Sequence, residues 1–317
     1  MTEKIATRQA YGETLLELGA ECPELVVLDA DLSGSTYTGK FAKAYPERFF
    51  NMGIAEQNMI STAAGLAAAG KVPFASSFAM FATGRAWEQV RNSVAHNEFN
   101  VKVAATHAGI TLGEDGASHQ IIEDIALMGV IPKMSVLVPA DATETREMVK
   151  FLVKHKGPAY LRLGRPAVPV IYDKASYKYE YGKAQVLSSG DDVTIIAVGV
   201  MVSKAMEAAE QLKLAGIKAE VINLSTIKPL DEEGIAKSVE KTGCVVVAEE
   251  HNKFFGVNSI VAACISRRVN KFVPLEAVAI EDRFGQSGTL DDLMKEYGLT
   301  TENIVEKVKL VISKKSK

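Results

Sequence analysis

The chain has 317 residues, of which 47% are hydrophobic and 24% charged, with a net charge of −3. This is ordinary globular composition for about two domains, and it excludes a nucleic-acid or anionic-membrane binder that works by bulk charge. Three cysteines without paired spacing (Cys22, Cys244, Cys264), no signal-peptide stretch after Met1, and no run of ~18 apolar residues predict a cytoplasmic protein without a membrane span. The basic tail Lys314-Lys315-Ser316-Lys317 suits a solvated terminus better than a binding patch.

In chain order, helical periodicity covers 8–18, a short apolar run 25–28, a small-residue helix 56–69, and a run 72–75. A helix at 85–96 follows, then runs at 101–105, 136–138 and 160–163, with a helix at 142–155 opened by Asp141 as N-cap. Apolar strands alternating with amphipathic helices predict an α/β domain with a mostly parallel sheet. From Pro166 to about Asp192 the pattern lapses into a proline- and tyrosine-containing linker, with a short strand near 184–187. Alternation then resumes. Strands fall at 193–198, 219–224, 244–248 and 275–280, and helices at 203–214 (Gly216 as its stop), 231–239 and 258–267, with two more closing the chain. The expected division is a first domain at 1–170, a linker at 171–190 and a second, smaller α/β domain at 191–317.

Three segments could carry chemistry. The densest is Thr106–Gln120, which follows the strand at 101–105 and holds His107, Asp115, His119 and three glycines. Ligands collect beyond the carboxyl ends of parallel strands, and glycine permits close backbone approach there. A loop that merely caps helices would use the same residue types. Glu56 opens the small-residue helix, where a buried carboxylate costs several kcal/mol unless paired or protonated. A helix-start glutamate that favours the macrodipole is the competing reading. Phe78 and Phe81 share a face, as core aromatics do, or as the walls of a slot for a flat ligand would.

Taken together these segments are more specific. Ile5-Ala6-Thr7-Arg8, Asp29-Ala30-Asp31-Leu32-Ser33-Gly34-Ser35, Gly53-Ile54-Ala55-Glu56-Gln57-Asn58, Phe78 to Phe81, Gly113 to Gln120 and 157–165 occur in order over nearly the whole first domain. Their run resembles the pyrimidine domain of the transketolase family, and residues from about Asp191 resemble its C-terminal domain. The resemblance implies a thiamine diphosphate enzyme that moves a two-carbon ketol unit from a ketose phosphate to an aldose phosphate, as in the pentose phosphate pathway. Glu56 matches the glutamate that hydrogen-bonds the cofactor's pyrimidine. Phe78 and Phe81 would sandwich that ring, and Asp31 would lie near the cofactor. His107 and His119 would orient the sugar at the reacting carbon, and Asp115 would bind a donor hydroxyl. Arg8, Ser35 and Arg165 would hold the sugar phosphate, a task that suits the planar arginine fork. Three departures are visible: Gly84 replaces a third aromatic, Ala117-Ser118 stands for Pro-Thr, and Gly164-Arg165-Pro166 replaces a more polar run.

The family's metal–diphosphate mark, Gly-Asp-Gly followed some 25–30 residues later by Asn-Asn, does not occur in the sequence. The chain also starts almost where the family's pyrimidine domain does. The expectation is therefore a C-terminal half that works only with an N-terminal partner subunit, which would hold Mg²⁺ or Ca²⁺, oxygen-seeking cations. No metal is expected on this chain. Two copies of each would form a heterotetramer, with this chain also pairing with itself. The related alternatives are a β subunit of a 2-oxo-acid dehydrogenase first component and a fragment of a 1-deoxyxylulose-5-phosphate synthase. A non-catalytic assembly subunit is the alternative from another class, and it would have no need of Glu56, both phenylalanines and both histidines together.

Overall fold

In the computed structural model the described residues run from Glu3 to Lys315; Met1 and Thr2, and the end of the basic tail at Ser316 and Lys317, lie outside them. The strands are β1 (Lys4–Ala6), β2 (Leu25–Asp29), β3 (Phe49–Asn51), β4 (Val72–Ser76), β5 (Lys102–Ala105), β6 (Ser135–Leu137) and β7 (Ala159–Arg162). They continue with β8 (Ala167–Pro169), β9 (Gln185–Ser188), β10 (Val193–Ala197), β11 (Ala219–Asn223), β12 (Thr226–Lys228), β13 (Val245–Asn252) and β14 (Leu275–Ile280). A seven-stranded sheet has the order β12-β6-β7-β5-β4-β2-β3, and a five-stranded sheet the order β14-β13-β10-β11-β9. Both are parallel except at one edge, where β12 and β9 run antiparallel. The fold is thus two α/β units with mostly parallel sheets, as the alternation of strands and helices predicts.

Burial follows the two-residue period of the strands. Along β2, Leu25 and Val27 face a core with Tyr11, Leu15 and Leu18 of the helix Thr7–Glu21 and Met148 and Leu152 of the helix Ala142–Lys154. Val26 and Leu28 face the opposite core, with Met59 and Ile60 of the helix Glu56–Ala68. That second core does not stop at the domain. It continues through Ile196 and Val198, Ile222 and Leu224, and Val245 and Val247 of the second sheet. β12 crosses as well, pairing Thr226 with Leu137 of β6. The two units therefore share apolar packing and one sheet edge.

Asp141 caps its helix as expected, accepting from Glu144 N at 2.8 Å. Its other oxygen accepts from Ile171 N and Tyr172 N at 2.8 and 2.9 Å, so the cap also pins the start of the linker. The linker is less irregular than its composition suggests. β8 pairs antiparallel with β1, and Tyr177, Tyr179 and Tyr181 bond Glu144, Thr226 and Ser135.

The helix expected at 85–96 differs most. The chain turns helical from Met80, and Met80–Arg85 and Val90–Ala95 are wide π-type segments around Trp87–Gln89. Thr83 Oγ1 donates to Ala79 O at 2.7 Å, a local bond that competes with regular α-helical pairing. Wide turns of this kind occur often at functional sites.

Candidate functional site

The connection from β2 leads to β3 on one flank, while β4 lies on the other. A crevice beyond the carboxyl ends of β2 and β4 follows from that reversal. Parallel register aligns Asn51, Asp29 and Ser76 across this edge. Asp29 is buried and accepts from Leu32 N, Thr36 Oγ1 and Thr38 Oγ1 at 2.6, 2.7 and 2.9 Å, which shapes the turn carrying Asp31 and Ser35. Burial raises its carboxyl above the usual range, against those three donors. Asp31 takes a left-handed conformation, φ +63°, and accepts from Asn51 Nδ2 at 3.0 Å.

Glu56 stands in the first turn of its helix and is 1% exposed. Its Oε2 accepts from Arg85 Nη1 at 2.8 Å, and Oε1 from Ser77 Oγ at 3.4 Å. The carboxylate is therefore paired, not left in apolar surroundings, and the macrodipole reading holds alongside. Arg85 also lies over the Phe81 ring, its guanidinium carbon 4.5 Å from the centroid.

Thr106 continues the pairing past the end of β5: Ala79 N donates to Thr106 O at 2.7 Å and Thr106 N to Ser77 O at 3.1 Å. That register lays His107 on Phe78, with centroids 3.9 Å apart. Phe78 and Phe81 are nearly parallel (12°) with centroids 6.1 Å apart. A flat ring between them needs about 7 Å, two contacts of ~3.5 Å. At 6.1 Å the two rings stand closer than a ring sandwiched between them would need, and His107 covers one face of Phe78. His119 meets Phe81 edge-on at 5.4 Å.

His107 is buried, has φ +62°, and its Nδ1 pairs with Thr106 Oγ1 at 2.8 Å. Burial first, then the charges of Arg8 and Arg165, push its pKa down to about 3. It is a neutral imidazole near neutral pH. Arg8 Nη1 donates to Ser35 O at 2.6 Å and Nε to Arg165 O at 3.1 Å, so these three predicted residues do converge. Arg165 Nη1 pairs with Glu114 Oε2 at 2.7 Å and also contacts Leu112 O. Asp115 is exposed at the tip of this loop, and among the described residues it bonds to no other site residue.

Sequence reading missed Arg85, the counter-charge of Glu56. It also missed a buried ion cluster: Arg162 Nε to Asp124 Oδ2 at 2.7 Å, Tyr160 OH to the same oxygen at 2.5 Å, and Arg162 Nη1 3.7 Å from Glu250 Oε2. The available signal was a charge ending an apolar strand, at Arg162 in β7 and at Glu249-Glu250 in β13. Such charges are rarely buried unless paired.

Residues 3–170 match the family described as transketolase, pyrimidine binding domain, and residues 182–304 match transketolase, C-terminal domain. A putative transketolase C-terminal section of Methanocaldococcus jannaschii is 52% identical over 303 residues, covering 95% of this chain and 94% of its own. The 6-deoxy-6-sulfo-D-fructose transketolase subunit of a Clostridium species is 42% identical, covering 98% and 95%. Among solved structures, a split gene transketolase, described as an inactive beta4 tetramer, superposes with a TM-score of 0.89 at 50% identity, over 98% of this chain and 99% of its own. The transketolase of Pichia stipitis in complex with sedoheptulose-7-phosphate superposes with a TM-score of 0.80 at 27% identity, over 98% of this chain but 46% of its own.

Proposed function

This chain belongs to the transketolase family, and we propose that it is the pyrimidine-binding half of a two-chain transketolase. A separate N-terminal subunit binds the diphosphate and its Mg²⁺ or Ca²⁺. The pair moves a two-carbon ketol unit from a ketose phosphate to an aldose phosphate, as in the pentose phosphate pathway. The division into two chains is supported by relatives described as a section or subunit, which this chain matches over 94–95% of their length.

The observation that carries the reading is Glu56. A carboxylate 1% exposed, beside stacked aromatic rings on the carboxyl edge of a parallel sheet, fits a flat ring with a nitrogen to be hydrogen-bonded. When bound, thiamine diphosphate supplies the nucleophilic carbon that takes up and passes on the ketol unit. Glu56 hydrogen-bonds the pyrimidine nitrogen opposite the amino group and shares its proton with it, and Phe81 holds the ring by offset stacking beside Phe78. Asp31 closes the cofactor side near the subunit junction. His107, a neutral imidazole near neutral pH, orients a sugar oxygen by hydrogen bonding. His119 and Asp115 bind donor hydroxyls. Arg8, Arg165 and the turn at Ser35 hold the phosphate, for which Glu114 keeps Arg165 in place until substrate arrives. The working assembly is a heterotetramer with self-association of this chain, and three free cysteines suit the cytoplasm.

Transfer of a ¹⁴C-labelled two-carbon unit from a ketose phosphate to an aldose phosphate tests the reading. Pyruvate-dependent acylation of lipoyl groups, with no sugar transfer, would replace it with the 2-oxo-acid dehydrogenase assignment.

A further inference from the structure

The loop at 109–120 carries Asp115 and His119, yet its shape is fixed largely from the second domain. Glu250, near the carboxyl end of β13, is buried and accepts from Thr111 N through Oε1 at 2.6 Å. Its carboxyl group fills the space beside Gly109, where a Cβ would lie 2.1 Å from the carboxyl carbon. Gln120 Nε2 donates to Gln286 O at 3.0 Å and to the loop's own Ile110 O at 3.1 Å, so one amide ties the loop to itself and to the segment after β14. Ser287 Oγ contacts Glu114 O. Asn252 N donates to Ile122 O at 2.8 Å, just past the loop. Glu250 is held in turn by Arg162, whose Nη2 donates to Glu250 O at 2.9 Å.

We propose that the C-terminal domain is the template for the substrate loop, and that Glu250 is a positioning residue that sets where Asp115 and His119 meet the sugar. The inference rests on reading 109–120 as the sugar-binding loop. Glu250 touches neither that surface nor Glu56, so it acts through Thr111 and Gly109 alone. A buried acceptor with a short bond to one amide holds that amide more firmly than water would.

Two conservative variants separate this role from a general structural one. Glu250→Asp keeps the charge near Arg162 but withdraws the carboxylate from Thr111 N by about one methylene. Glu250→Gln keeps an oxygen within reach of Thr111 N but loses the charge facing Arg162. The template role predicts that Glu250→Asp speeds amide exchange of residues 110–116 in the full chain by ~10-fold or more. In the assembled enzyme it should raise KM for the sugar phosphate by a similar factor, with thiamine diphosphate affinity unchanged. Glu250→Gln should stay within about 3-fold on each readout. The opposite ranking, Gln worse than Asp, would mean that the ion pair matters and the loop bond does not, and would overturn the proposal. Faster exchange in Glu250→Asp with unchanged KM, in an enzyme that transfers ketol units, would also overturn it. An assembled wild type without ketol transfer would sink the function proposed above, while exchange in the two variants would still decide whether Glu250 holds the loop.

Discussion

Replacing Glu56 by Gln should cost ~10²–10⁴-fold in turnover, the usual loss for a positioned proton-transfer group, while leaving the protein folded. The structure separates the two effects. Glu56 is 1% exposed, and its one charged partner among the described residues, Arg85, has a side chain 46% exposed. Solvent therefore screens the pair, and its loss is worth about 1 kcal/mol. Gln keeps the volume and an oxygen for Arg85, so unfolding free energy should fall by no more than that. It cannot share an acid proton with the pyrimidine nitrogen, so the rate should fall at saturating cofactor. Arg85→Met gives the reverse pattern. It strips a buried carboxylate of its cation, costing about 1–3 kcal/mol once the half-exposed geometry is discounted, but leaves the acceptor and slows turnover less. The assay is ketol transfer by the assembled complex at saturating cofactor, paired with urea unfolding of this chain. A folded Glu56→Gln complex with near-normal turnover would refute the assignment.

Arg8→Ala and Arg165→Ala should raise KM for phosphorylated sugars ~10- to 150-fold, the equivalent of one charged hydrogen bond, and much less for unphosphorylated analogues; equal effects on both would make the arginines structural. His107 has a folded pKa of about 3 against about 6.5 unfolded, so its contribution to stability is complete above pH ~6.5 and is lost as pH falls from there towards 3. Urea unfolding at pH 7, 6 and 5 should show the wild type losing up to about 1.4 kcal/mol per pH unit more than His107→Asn; parallel slopes would place the proton elsewhere. Arg162→Met leaves Asp124 and Glu250 buried without their cation and should destabilise by ~3–5 kcal/mol, read by urea unfolding, whereas a neutral result would mean that the carboxylates take up protons at little cost.

What the sequence showed depended on whether a signal was local. The helix Glu56–Ala68, the Asp141 cap and the strands β2, β4, β5 and β10 follow from periodicity within a few residues, and all lie within a residue or two of expectation. β12 does not, because it joins the other domain's sheet far along the chain from its partner, with Thr226 set against Leu137. The π-type turns at 80–95 look like an ordinary helix in one dimension, since their hydrophobic residues differ little from α-helical spacing. Glu56, Phe78, Phe81 and His107 stand out as residue types, and the two arginines Arg8 and Arg165 only through the family resemblance. Arg85 was not, because its link to Glu56 spans 29 positions and only the fold closes that distance. Glu250 was hidden for the same reason: it sits 139 residues from Thr111 and inside the domain expected to stand apart.

The most direct test of the central claim is titration calorimetry of thiamine diphosphate with Mg²⁺ into this chain, into a candidate partner bearing Gly-Asp-Gly and Asn-Asn, and into their mixture. On the proposed reading Glu56 and the phenylalanines would contact only one end of the cofactor, so the chain alone would bear the cost of immobilising the ligand without the diphosphate contacts. Saturable, metal-dependent binding and ketol transfer should appear together, and only in the mixture. Tight metal-dependent binding with full turnover by this chain alone would contradict it.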